Sequence, residues 1–132
     1  MHNFYDEVIL DHNAHPQYFN ELKNPDLVLQ AVNASCGDKF EIRLKLKDKI
    51  ITEASFKGNG CAVSKASTDI LLDKILGKSL DEAKAFCESF LSAVHSGDFS
   101  ALSGDICALE GASKMPARVK CATLSWQTIL NS

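Results

Sequence analysis

Three cysteines and one aspartate stand where this chain must bend. Cys36 lies in Ser35-Cys36-Gly37-Asp38, with Asp38 two residues on, so one turn can aim both side chains at the same point. Cys61 closes Gly58-Asn59-Gly60-Cys61, where two glycines let the backbone turn sharply. Cys121 closes Arg118-Val119-Lys120-Cys121 in the first turns of a predicted last helix, where the helix N-terminus and two cationic side chains would favour a thiolate. Thiolates select zinc or iron–sulfur species over hard cations, and three of them with a carboxylate can fill a four-coordinate site. The spacing alone does not choose between a metal site and cysteines that are simply buried, because no C-x-x-C pair is present. Cys87, beside Phe86 and Phe90, reads as a small hydrophobe of the core. Cys107, in Ile106-Cys107-Ala108-Leu109, reads the same way and is the spare ligand if the first set fails.

The rest of the composition narrows the setting. The chain has 132 residues, which we take as a single domain, residues 1–132. A net charge of −3 argues against nucleic acid as the main partner. No apolar run approaches the roughly 20 residues of a membrane span. The N-terminus is acidic early and lacks the basic start of a secretory signal, so a cytoplasmic protein is expected. In that compartment five cysteines, an odd number, point to metal binding or thiol chemistry and not to a disulfide framework.

Several other polar residues have ordinary readings. His12 and His15 fall in a turn-rich stretch and read as surface histidines, and His95 suits a helix C-terminus. Arg43, Lys45, Lys47 and Lys49 alternate along a strand and mark its solvated face. Trp126 reads as core.

The elements that must position the cysteines follow from periodicity. Phe4, Val8 and Ile9 predict a short helix from Asn3 to about Asn13, followed by a loop to Pro25. Val28, Leu29 and Val32 suggest a first strand. Phe40, Ile42, Leu44 and Leu46 alternate with charged residues, and after a turn at Lys47-Asp48-Lys49 the same alternation puts Ile50, Thr52, Ala54 and Phe56 on one face. This predicts an antiparallel hairpin. A helix from Cys61 to Leu76 ends at Gly77. Ser79-Leu80-Asp81-Glu82 has capping-box spacing and opens a second helix to about His95. Gly97 and Gly104 bracket an irregular segment, and Pro116 opens a last helix carrying Val119, Leu124, Trp126 and Ile129. The expected class is α+β, a small antiparallel sheet packed against a helical layer.

With these motifs in view, the chain resembles the IscU/NifU-like superfamily of iron–sulfur cluster assembly proteins. The stretches that carry the resemblance are Tyr5 to His12, Asn33 to Asp38, Phe56 to Ser67, and Pro116 to Trp126, in the family's order. Within it the chain is most similar to the SufU branch of zinc-dependent sulfur acceptors. Lys120 stands where IscU scaffolds carry a histidine before the third cysteine, and the Gly97 to Gly111 region matches the branch's longer intervening segment. The chaperone-binding motif of the scaffolds is not recognisable near Lys114-Met115-Pro116.

The resemblance implies an IscU/SufU-like fold and a zinc site of Cys36, Asp38, Cys61 and Cys121. It implies that Cys36 accepts sulfur from the persulfide of a pyridoxal-phosphate cysteine desulfurase of SufS type and passes it toward a downstream iron–sulfur scaffold. A zinc-held thiolate is a blunted nucleophile, and the resemblance implies that a desulfurase histidine takes its vacated place. Arg118, three positions before Cys121 on one helix face, is a candidate to stabilise the transferred sulfur or to contact the partner. A surface salt bridge is the other reading of Arg118. Two further functions compete. One is a scaffold assembling a transient [2Fe–2S] cluster on the same residues, which Lys120, a poor ligand, argues against. The other is a purely structural zinc.

Overall fold

The computed structural model describes residues 4–34 and 37–132. Three strands, β1 (Leu27–Asn33), β2 (Asp38–Lys47) and β3 (Ile50–Asn59), form an antiparallel meander in the order β1-β2-β3. Helix α1 (Phe4–Ala14) precedes the sheet, and α2 (Ala62–Ile75), α3 (Leu80–Ser96), a 3-10 helix (Gly104–Leu109), α4 (Glu110–Ser113) and α5 (Pro116–Leu130) follow it. This is the α+β arrangement expected, with helices over one face of a small sheet. No helix among the described residues is long and apolar enough to cross a membrane.

The β2–β3 hairpin shows why simple alternation fails in one place. Lys47 pairs with Ile50 across a two-residue turn, with Asp48 and Lys49 at φ of 51° and 70°. Positive φ at both positions gives the tight turn whose twist suits paired strands. The register then shifts: Leu46 pairs with Ile51, but Lys45 pairs with Glu53. Thr52 is therefore the extra residue of a bulge, with its hydroxyl on the Lys45 carbonyl at 3.2 Å. The bulge reverses the phase of the strand start. Ile51, not Ile50 or Thr52, is buried, while Ala54 and Phe56 keep the core face expected of them.

Helix α2 is the centre of the molecule. Ser64 and the run from Ala66 to Leu72 are all buried, because α1, α5 and the sheet cover it from different sides. Its apolar residues Ile70, Leu71, Leu72 and Ile75 join Phe40, Ile42, Phe56, Phe90 and Trp126 in one core. The Trp126 ring stacks on Phe90 with centroids 3.9 Å apart. Its indole N–H donates to the Ser67 hydroxyl at 2.8 Å, which in turn donates to the Ala122 carbonyl at 2.6 Å. Thr68 and Ser125 share a further hydroxyl bond at 2.7 Å. This polar ladder fixes α5 on α2.

Sequence and structure agree at the ends of α3. Ser79 accepts from the Glu82 amide at 3.1 Å while Glu82 accepts from the Ser79 amide at 3.0 Å, the reciprocal box that the spacing predicts. Residues 104–113 differ from expectation. They carry no clear periodicity, yet they form the 3-10 helix and α4, held by the buried side chains of Ile106, Leu109 and Ala112.

Replacing Ser67 with Ala removes the acceptor of a buried indole N–H, and such an unsatisfied donor costs about 1–3 kcal/mol. Urea unfolding of Ser67→Ala is expected to show a loss of that size with an unchanged slope.

Candidate metal centre

The turn from β1 into β2 delivers Asp38. Gly37 sits at φ 76°, a left-handed conformation that a residue with a Cβ rarely adopts, and its amide bonds the Asn33 carbonyl at 2.9 Å. Asp38 opens β2 opposite Asn33 and is 1% exposed. At the same end of the hairpin, where β3 finishes beside the start of β2, Gly58 lies at φ 131°, and a Cβ there would collide with the Lys39 carbonyl oxygen. β3 lies against β2 at that close approach, and after two intervening residues the chain enters α2.

Cys61 is the N-cap of α2. Its sulfur accepts from the Ser64 amide at 3.4 Å, and its own amide donates to Asp38 Oδ1 at 3.0 Å. Asp38 thus holds the residue that starts α2. Its other oxygen, Oδ2, is buried and accepts no hydrogen bond among the described residues. A buried carboxylate oxygen without a donor is costly, and a cation is one of the few groups that satisfies it.

Cys121 completes the cluster from the second turn of α5 and is buried. One ligand atom from each of Asp38, Cys61 and Cys121 lies within 4.8 Å of the others. A tetrahedral zinc with sulfur and oxygen ligands needs edges of roughly 3.5–3.8 Å, so inward side-chain shifts of about 1 Å close the set. The residues present therefore fit a soft cation: two sulfurs and a carboxylate whose Oδ2 accepts no hydrogen bond among the described residues. Cys36, the fourth residue of the expected set, lies outside the described residues, as does Ser35.

The thiols of this cluster differ. Burial raises the Cys61 thiol, but bonds from the Ser64 amide and hydroxyl and from Cys121 outweigh it, and its pKa falls below the ordinary value. Cys121 moves the opposite way. Burial first, then the neighbouring Cys61 and Asp38, push it far up. The expectation that the α5 N-terminus, Arg118 and Lys120 favour a thiolate at Cys121 is therefore corrected. The helix field fades beyond the first turn, and both cationic residues are exposed. Among the described residues Arg118 makes no ion pair.

The other cysteines stand apart. Cys87 is fully buried on α3, and burial pushes its thiol up to about 12. Cys107 is half-buried, with its thiol 3.4 Å from the Leu102 carbonyl. Neither joins the cluster.

One polar constellation escaped the sequence reading. His12 is not a surface histidine: its side chain is 12% exposed, with Nδ1 2.7 Å from Asp69 and Nε2 2.8 Å from Asp105. Asp69 is wholly buried. The signal was present, since an aspartate between Thr68 and Ile70 in a buried helix requires a charged or hydrogen-bonding partner.

A three-stranded meander with helices on one face, bringing an aspartate and two cysteines to a single point, defines a small α+β domain with a candidate thiolate-and-carboxylate metal site. The family comparison makes this particular: residues 4–129 match the NifU-like N-terminal domain, and the chain belongs to that family. It is 37% identical over 131 residues to the zinc-dependent sulfurtransferase SufU of Bacillus subtilis (strain 168), covering 98% of this chain and 88% of the relative. It is 33% identical over 131 residues to the iron–sulfur cluster assembly scaffold protein IscU of Streptococcus pyogenes serotype M1, covering 98% of this chain and 82% of the relative. A crystal structure described as a candidate iron–sulfur cluster assembly scaffold for the SUF system, from Fervidobacterium islandicum AW-1, superposes with a TM-score of 0.86. That pair shares 29% identity over 96% of this chain and 93% of the other. The IscU/SufU-like fold and family expected from the motifs are thus found.

The contrast between the thiols gives a chemical test. In the metal-free chain at neutral pH, iodoacetamide is expected to modify Cys61 ahead of Cys121 and Cys87, as read by peptide mass mapping over time.

Proposed function

We propose that this protein is a zinc-bound sulfur acceptor in iron–sulfur cluster assembly, taking persulfide sulfur from a pyridoxal-phosphate cysteine desulfurase. The observation that carries the reading is the convergence of Asp38, Cys61 and Cys121, with Asp38 Oδ2 buried and unsatisfied among the described residues. The similarity to a zinc-dependent sulfurtransferase supports the choice of metal and chemistry.

In this reading Asp38, Cys61, Cys121 and Cys36 hold the ion. Bound zinc keeps its ligating thiols deprotonated near neutral pH. Asp38 has a second role that needs no metal: through Oδ1 it fixes the amide of Cys61 and so the start of α2. Cys36, the residue before Gly37 in the sequence, is the nucleophile. Its thiolate attacks the terminal sulfur of the desulfurase persulfide. A new sulfur–sulfur bond forms at Cys36 as the old one breaks, the desulfurase cysteine leaves as thiolate, and no external oxidant or reductant is needed. Arg118, exposed on the first turn of α5, is available to the transferred sulfur's negative charge or to the partner's surface. A reducing, cytoplasmic setting goes with this reading, since the thiols must stay free.

The relatives named IscU support a second reading, a scaffold for a transient [2Fe–2S] cluster on the same residues. Against it, the position before Cys121 is Lys120, an exposed and poor ligand. Metal analysis separates the two: about one zinc per chain for the acceptor, iron with acid-labile sulfide and a brown colour for the scaffold.

The decisive experiment pairs zinc quantification with desulfurase turnover in the presence and absence of the chain. Cys36→Ala is expected to abolish activation while the desulfurase alone keeps its basal rate. A variant that activates as the parent does contradicts the transfer role. Asp38→Ala is expected to weaken zinc retention by about 100-fold, the upper range for perturbing a site's supporting groups, because a direct ligand is lost. Competition with a chromogenic chelator measures it, and unchanged retention removes Asp38 from the site.

A further inference from the structure

We propose that His12, as an imidazolium held between Asp69 and Asp105, is a positioning residue. It pins the 3-10 helix, and through it the start of α5 with Arg118 and Cys121, onto the helix that begins at Cys61. The proposal rests on the reading of Cys61 and Cys121 as one site.

The geometry fixes the protonation state. A neutral imidazole has one N–H and one lone pair, so one of two facing carboxylates would meet a lone pair. Here the ring nitrogens lie 2.7 and 2.8 Å from carboxylate oxygens, and with both carboxylates ionised only the doubly protonated ring satisfies them. The bridge joins three elements, α1, α2 and the 3-10 helix. Asp69 is further held by the Tyr18 amide on its Oδ1 at 2.9 Å, so the buried end of the bridge is itself anchored.

The segment it holds has few other polar anchors. The 3-10 helix, α4 and α5 all begin without a side-chain cap. The Asp105–His12 bond ties residues 99–115 to a helix remote in the sequence through a side chain. The bonds from Cys107, Ser113 and the Ser100 amide stay local. Its other anchors are apolar, chiefly Ile106 and Leu109. That segment leads directly into the turns that carry Arg118 and Cys121.

The charged groups around His12 agree. Asp69 faces it from α2 and Asp105 from the 3-10 helix. Beyond them, Asp73 on α2 accepts from the Tyr18 hydroxyl at 2.8 Å, and Lys74 Nζ lies near Gly104. Asp11 and His15 are exposed on its own side of the chain. The hydrogen bond to Asp69, opposed by burial and reinforced by Asp105, raises His12 from 6.5 to about 9. A raised histidine contributes its full stabilisation below the unfolded value and loses it as pH rises through the folded one, so the pin weakens between about 6.5 and 9.

Amide hydrogen exchange on the full-length, metal-free chain tests this, read as protection relative to the intrinsic rate at each pH. Protection over residues 105–121 is expected to fall at least about tenfold between pH 7 and 9.5, one pKa unit or more of linkage, while α3 and the sheet keep theirs. His12→Gln is expected to show the low value already at pH 7 and no further fall. Asp105→Asn, an exposed change that leaves the core intact, is expected to reproduce the loss if His12→Gln does not fold. Equal protection in parent and Asp105→Asn, or the same pH dependence in both, overturns the pin. Zinc release to a chelator at pH 7 completes the test: faster release from Asp105→Asn supports positioning of Cys121. Unchanged release, with protection lost, overturns it. A chain that binds no zinc at all defeats the site reading, while the exchange data still decide the pin.

Discussion

Among the described residues, Asp38 is a buried acid whose hydrogen bonding does not close without a further partner. One carboxylate oxygen holds the amide that starts α2, and the other is buried with no donor among the described residues. Everywhere else the buried polar side chains of α2 find their bonds: Ser67 with Trp126 and Ala122, Thr68 with Ser125, Asp69 with His12 and Tyr18. In an interior so largely paired, an exception of this kind is informative. The exception lies beside two cysteine sulfurs, which is where a soft cation would be held.

The same bonds explain how distant parts of the chain meet. Asp38 comes from the turn between β1 and β2, Cys61 from the junction between β3 and α2, and Cys121 from a helix 60 residues further on. Local turns aim Asp38 and Cys61, but none of the three is brought to the others by its own sequence neighbours. The α2–α5 ladder sets the separation of Cys61 and Cys121, and the Asp38 carboxylate sets the hairpin against the start of α2. Because α2 is buried on nearly all sides, shifting it would unpair several buried groups together. Its start is thus a rigid platform for the site. The contrasting thiols follow from the same placement: Cys61 gains the amides of a helix start, while Cys121, one turn deeper in its own helix, gains only burial and negative neighbours.

Much of this was legible in the residues. The capping box at Ser79–Glu82, the C-terminal glycine at Gly77, Pro116 opening α5 and the left-handed Gly37 all act through local geometry, and local geometry is what sequence patterns encode. The turn motifs around Cys61 and Asp38 were legible for the same reason. The Thr52 bulge was not, because a single extra residue reverses a two-residue period and leaves no compositional trace. The 3-10 helix and α4 were missed because tertiary burial of Ile106 and Leu109, not periodicity, holds them. His12 was misread because both its partners are remote in sequence, although Asp69 in an apolar helix was a visible demand for one. The high pKa of Cys121 depends on Cys61 and Asp38 arriving beside it, which only the fold decides.

The central claim is that a zinc ion is held by the sulfurs of three cysteines and one oxygen of Asp38. X-ray absorption at the zinc edge on the reconstituted chain tests it most directly. The account predicts three sulfur scatterers at about 2.3 Å and one oxygen at about 2.0 Å. A shell of nitrogen and oxygen alone, or one with no light scatterer beside its sulfurs, would contradict it.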